Sequence, residues 1–315
     1  MQPDVSFVMA AFNASATIKR ALTSALASRG VTVEVIVADD LSRDNTVALV
    51  EGFGDQRIHL LQLAKNGGPG TARNAALKAA TGRYIAVLDA DDEVHPDRVA
   101  RLVARLDESG AAAAVDNIEF VGGTHGKVPM PMFSREMFER MATLTLADYI
   151  HGNRLFSGRY NFGYLKPVLR ASFLKHHAIN YPETIRIGED YLFLASMLAH
   201  GGVCITSGDI GYRYHVTEGS VSRKLSLDHV KQMIAADAEF LQHHCFTSGS
   251  PEEIAQRART RSLRQAESFL SMIEGIKTRS IGSVFSHAVR DPFAIRHFTM
   301  PATARIQRLL GRTAS

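Results

Sequence analysis

Residues 84–96 read YIAVLDADDEVHP, an apolar run that ends in a cluster of acids. Tyr84 to Leu88 has the length and near-continuous apolarity of a strand buried on both faces. The run stops at Asp89-Ala90-Asp91-Asp92 and, with Glu93, places four carboxylates within five residues. These charges repel one another. Solvent relieves that repulsion, and so does a hard divalent cation, which accepts carboxylate oxygens and, for Mg²⁺ or Mn²⁺, also the oxygens of a bound diphosphate. Ligands of open α/β sheets collect beyond the carboxyl ends of the strands, where this cluster falls. The competing reading is an acidic turn ahead of a helix that opens at Pro96-Asp97.

Outward from this stretch, the first half alternates apolar runs with helical spacing. Strands are expected over 5–11, 33–38, 58–63 and 84–88, and helices over 15–28, 45–53, 70–80 and 96–106, with Asp44 capping the second. Ile18, Ala21, Leu22, Ala25 and Leu26 give the first helix one apolar face. This rhythm predicts a mostly parallel, Rossmann-like α/β sheet flanked by helices. Polar groups follow each strand: Ala11-Phe12-Asn13, Asp39-Asp40, and Lys65 to Asn74 with its Gly67-Gly68-Pro69-Gly70 core. A glycine-rich segment opening a helix can offer backbone N–H groups to an anion, and Arg73 adds a fixed cation. The plainer readings are a turn that uses glycine for positive φ and a strand-end turn at Asp39-Asp40. The dinucleotide fingerprint is incomplete, because Arg73 stands where its last glycine would be and the segment follows the third strand.

Composition bounds the rest. The chain has 315 residues, 45% hydrophobic and 22% charged, enough for one large domain with an appendage or for two domains. Cys204 and Cys245 show no ligand spacing and read as small buried thiols in a reducing cytoplasm. The opening MQPDVSFVMAAF lacks a basic leader region and reads as a first strand. No apolar stretch approaches the roughly 20 residues of a spanning helix. Net charge is +6 over residues 251–315 and −2 over the remainder. Helices are expected over 229–243 and 252–276. The basic residues mixed with Phe, Ile and Leu beyond them suit either an interfacial segment on an anionic leaflet or a helical appendage that packs or dimerises. Nucleic acid is not expected, for want of an accompanying motif.

In this order, SFVMAAFNASATI, VIVADDLSRDNT, NGGPGTARNAAL and GRYIAVLDADDEVHPDRV resemble the family 2 glycosyltransferases of GT-A fold. The resemblance runs through the first 110 residues or so, with Ala10 where that family often has Pro. It implies transfer of a sugar from a nucleotide diphosphate, with inversion at the anomeric carbon. By the same resemblance Asp40, with Asp39 beside it, accepts the uracil N3–H, and the Ala11-Phe12-Asn13 turn lines base and ribose. Gly67 and Arg73 lie near base or diphosphate, Asp89 and Ala90 face ribose or sugar, and Asp91 holds Mn²⁺ or Mg²⁺.

Transfer with inversion needs a base on the face opposite the leaving diphosphate. GEDYLF at residues 188–193 resembles the family's ED motif, which makes Asp190 the base and Glu189 its alternate; helix N-terminal acids stabilised by the dipole explain the position equally well. His215, in GYRYH, is similar to a family histidine that reaches metal or diphosphate, with Ser220, Ser222 and Arg223 nearby. Residues 116–182, including the aromatic run GRYNFGY at 158–164, are expected to set the acceptor. The resulting division is 1–225 for the catalytic domain, split at 115/116 into donor and acceptor halves, and 226–315 for a basic helical extension. The expected reaction moves a hexose such as glucose from a UDP-sugar to a growing lipid-linked oligosaccharide of a bacterial polysaccharide. A non-catalytic nucleotide-sugar module and a nicotinamide oxidoreductase are the alternatives.

Overall fold

The computed structural model describes residues 2–122, 129–157, 161–216 and 225–298. The expectations for Gly158, Arg159, Tyr160, Ser220, Ser222, Arg223 and the segment after 298 lie outside these residues.

The first half follows the predicted alternation: β1 (Val5–Ala11), α1 (Ile18–Leu26), β2 (Val33–Asp39), α2 (Thr46–Glu51), β3 (Ile58–Gln62), α3 (Pro69–Ala79) and β4 (Tyr84–Val87). These four strands are parallel, with Val5 level with Val33 and with Tyr84, and Val35 level with Ile58. β2 and β4 are buried throughout; β4 is wholly apolar, and the buried Glu34 of β2 accepts from Ser6 and Thr81. The α2 start differs in detail: Asn45 is the cap position, while the Asp44 carboxylate accepts the N–H groups of Thr46 and Ser15, both at 3.0 Å.

Beyond β4 the sheet becomes mixed. β5 (Glu93–Val94), α4 (Arg98–Ser109), β6 (Ala113–Gly122), β7 (Met130–Pro131), α5 (Arg135–Met141), α6 (Leu146–Gly152), β8 (Val168–Arg170), α7 (Ala171–His176), α8 (Glu189–Ala199) and β9 (Cys204–Val216) follow in order. Among the described residues nine strands form one sheet in the order β3-β2-β1-β4-β8-β6-β9-β5, with β7 on β6; β8 enters antiparallel between β4 and β6, and β9 lies parallel to β6. The acids after β4 are therefore more than a turn, since Glu93 and Val94 pair with Arg213 and Tyr212 of β9.

A buried ion pair ties this half to the sheet. Arg98 donates from Nε to Asp116 Oδ1 at 2.9 Å, and both side chains are sealed from solvent. Gly211 sits against them, and a Cβ there would lie 1.9 Å from Asp116 Oδ2. Arg98→Met would leave Asp116 uncompensated in the interior, so we expect a loss of about 3–5 kcal/mol, measured by urea unfolding.

The extension comprises α9 (Leu227–His243), α10 (Pro251–Lys277), α11 (Ile281–Arg290) and a 3-10 segment, Pro292–Phe298. Arg259 of α10 is buried: it pairs with Asp237 at 2.8 Å, donates to the Asn153 carbonyl at 2.7 Å, and lies 3.7 Å from the ring centre of Tyr191 in α8. Phe285, Val289, Phe293 and Ile295 stand exposed at the far end. Cys204 is buried as expected; Cys245 is exposed, because the chain leaves the packed face of α9 just before it. Among the described residues no helix is long and apolar enough to cross a membrane.

Candidate active site

The carboxyl ends of β1, β2 and β4 face one rim, and side chains there knit the loops together. Asn13 takes a positive φ of 50°, its N–H donates to Ser42 Oγ, and its Oδ1 accepts from the Arg43 N–H. Ala11 is buried, while Phe12 projects, 49% exposed. The Asp40 N–H donates to the Ala11 carbonyl at 2.8 Å. Both carboxylate oxygens of Asp40 accept from the glycine-rich loop, from the N–H of Gly67 at 2.7 Å and of Gly68 at 2.8 Å. The expectation that these N–H groups await an anion is thus corrected, since a buried carboxylate of the same chain already fills that role. Asp39 is different. Its Oδ2 accepts the Ser42 N–H, whereas its buried Oδ1 has no hydrogen-bond partner.

At the end of β4 the acids separate by direction. Asp89 faces two cations, Arg73 Nη2 at 2.6 Å and Lys166 Nζ at 2.6 Å. Burial alone would raise its pKa, but the two cations outweigh burial and hold it far below the usual carboxylate range. Ala90 is buried beside it. Burial and then the neighbouring Asp89 push the Asp91 carboxyl up. Asp92 is fully buried, accepts from Tyr212 Oη at 2.8 Å and from the His215 N–H at 2.8 Å, and is driven well above the ordinary range by burial and by Asp89 and Asp91. Asp89, Asp91 and Asp92 each present one carboxylate oxygen within 4.8 Å of the others. Three hard oxygen donors this close together fit a divalent cation such as Mn²⁺ or Mg²⁺.

The His215 ring does not join this group. Side chains alternate along β9, so Tyr212 points toward Asp92 while Arg213 and His215 point to the other face. There His215 Nε2 meets Glu93, and Arg213 Nε pairs with Glu119 at 2.7 Å. What His215 gives the site is its main-chain N–H.

Glu189 and Asp190 occupy the first turn of α8, after Gly188 at φ 95°. Arg73 Nη1 lies 2.7 Å from Glu189 Oε1 and 3.2 Å from Asp190 Oδ1. Burial and the adjacent Asp190 raise the Glu189 carboxyl. Lys166 Nζ lies 2.7 Å from Asp190 Oδ2. Burial would lower the Lys166 ammonium, but Asp190 and Asp89 carry it well above the usual lysine range. Sequence reading passed over Lys166, for which a lone cation inside the apolar run YLKPVL was the available signal, and gave Asp92 no role apart from the acidic cluster.

A parallel half-sheet joined to a mixed one, with strand-end acids facing a second acidic helix start, is the GT-A arrangement of glycosyltransferases. The solved structure of residues 1–349 of Staphylococcus aureus TarS in complex with UDP-GlcNAc shares the fold, with a TM-score of 0.60 and 23% identity over 91% of each chain. The chain belongs to glycosyl transferase family 2, whose model matches residues 6–173, and is therefore a transferase. It is 48% identical over 310 residues to the succinoglycan biosynthesis protein ExoO of Rhizobium meliloti, covering 98% of this chain and 88% of that one. It is also 29% identical over 221 residues to Escherichia coli WfgD, a UDP-Glc:alpha-D-GlcNAc-diphosphoundecaprenol beta-1,3-glucosyltransferase, covering 69% and 79% of the two chains.

Proposed function

We propose that the protein is an inverting, metal-dependent glycosyltransferase of polysaccharide biosynthesis that moves a hexose, glucose first among the candidates, from a UDP-sugar to a growing lipid-linked oligosaccharide. The observation that carries this reading is the Asp89-Asp91-Asp92 group facing the Glu189-Asp190 helix start across Arg73 and Lys166. The similarity to ExoO supports the pathway and the similarity to WfgD supports donor and acceptor.

Each side chain then has a task. The free Oδ1 of Asp39 takes the uracil N3–H, while Asp40 holds the Gly67-Gly68 loop beneath the base; this exchanges the roles expected from the sequence. Phe12 and Asn13 cover base and ribose. Asp91, supported by Asp92, would hold Mn²⁺ or Mg²⁺, and such a cation would supply charge stabilisation for a departing diphosphate. Asp190 takes the proton of the acceptor hydroxyl as that oxygen bonds to the anomeric carbon, and the electron pair of the breaking C–O bond leaves with UDP. The exposed Phe285, Val289, Phe293 and Ile295, within a basic segment, suit contact with an anionic leaflet where a lipid-linked acceptor resides.

Calorimetric titration of UDP with and without Mn²⁺, joined to a panel of UDP-sugars assayed for slow hydrolysis, tests the proposal. Metal-dependent UDP binding with one sugar preferentially hydrolysed is the expected outcome. Absence of UDP binding in both conditions would overturn it, and NADH binding indifferent to metal would point to an oxidoreductase.

A further inference from the structure

We infer that Lys166 is a positioning residue that holds the Asp190 carboxylate in place at the end of β4, an inference that rests on the assignment of Asp190 as the base. The two oxygens of Asp190 are not equivalent. Oδ2 receives a 2.7 Å hydrogen bond from Lys166 Nζ, whereas Oδ1 is buried and has no hydrogen-bond donor, its nearest cation being Arg73 at 3.2 Å.

The clamp is itself built into the sheet. Lys166 is 5% exposed and directly precedes Pro167 and β8, and β8 pairs with β4 at Ala86 and Val168. Its main-chain carbonyl accepts from the buried Arg98. The ammonium is thereby fixed at the end of β4, where it also meets Asp89 Oδ2 at 2.6 Å. Asp89, Lys166, Asp190 and Arg73 form a closed ring of alternating charge, since Arg73 likewise spans Asp89 and Asp190. The strand end that carries Asp89 and the helix that carries Asp190 therefore share two cations, of which Lys166 is the one hydrogen-bonded to Asp190. A small displacement of α8 would otherwise move the base out of line with the departing diphosphate.

The test compares Lys166→Met, Asp190→Asn and the double variant, reading Mn²⁺-dependent UDP release from UDP-glucose, UDP-galactose and UDP-N-acetylglucosamine with water as acceptor, together with calorimetric UDP affinity. Lys166→Met should lower kcat about 10²-fold while UDP affinity changes less than about threefold, and the double variant should be no slower than Asp190→Asn alone. If Lys166→Met does not fold, Lys166→Gln, which keeps one donor, is held to the same criteria. A kcat near wild type, a loss of UDP affinity that accounts for the whole effect, or multiplicative losses in the double variant would overturn the inference while leaving Asp190 as the base. Wild-type hydrolysis by Asp190→Asn would instead remove the assignment on which the inference stands.

Discussion

Asp190→Asn should bind UDP and Mn²⁺ with near wild-type affinity yet release UDP from its sugar donor at least about 10³-fold more slowly. The amide keeps the size of the side chain and an acceptor for Lys166, so the fold and the donor half have little reason to change. What it loses is the ability to take a proton. The position suits a base: the carboxylate stands in the first turn of α8, one oxygen hydrogen-bonded by Lys166 and the other beside Arg73 without a hydrogen bond. Glu189 is less suited, because Arg73 occupies its Oε1 and it is more deeply buried. A substantial remaining rate in Asp190→Asn would move the base to Glu189, and Glu189→Gln would then show the larger loss.

The second large effect is expected at Asp91→Ala, which should weaken UDP binding in Mn²⁺ about 10²-fold and abolish the difference between titrations with and without the metal. Asp89 is already committed to two cations, and Asp92 to Tyr212 and the His215 N–H, so neither is free to replace Asp91 without breaking those bonds. Treatment of the wild-type protein with EDTA should reproduce the variant's weak binding, and added Mn²⁺ should reverse it. Unchanged UDP affinity of Asp91→Ala in Mn²⁺ would sink the metal assignment.

How far the sequence discloses this site depends on how local each signal is. β1, β2 and β4 are readable because strands buried on both faces are predominantly apolar, and the acids that end β2 and follow β4 are conspicuous by contrast. GEDYLF is readable because helix start, charge and apolar core occupy one short segment. β5 and β8, at two and three residues, are too short for any periodicity, so the mixed half of the sheet goes unseen. Lys166 gives only the hint of a lone cation in an apolar run, since its partners belong to a strand end and a helix that only the fold brings together. His215 misleads for a different reason. The β6–β9 pairing shifts register between Asp116 and Ile118, and which face a side chain takes beyond such a shift cannot be counted from the residues alone. Asp39 and Asp40 are adjacent and alike in the sequence; only the hydrogen bonds of the Gly67-Gly68 loop tell them apart.

Arg259 bears on how such enzymes can be cut and recombined. Its guanidinium lies over Tyr191, the residue after Asp190; Tyr191 stacks on Tyr149, and the Tyr149 hydroxyl reaches the Asp190 carbonyl at 3.5 Å. A boundary drawn at residue 225 thus separates the start of α8, with Asp190, from the cation packed against it. Chimaeras between relatives would have to exchange α6, α8 and α10 as a single cassette, and truncated versions made to ease crystallisation would lose the support beneath Asp190 first.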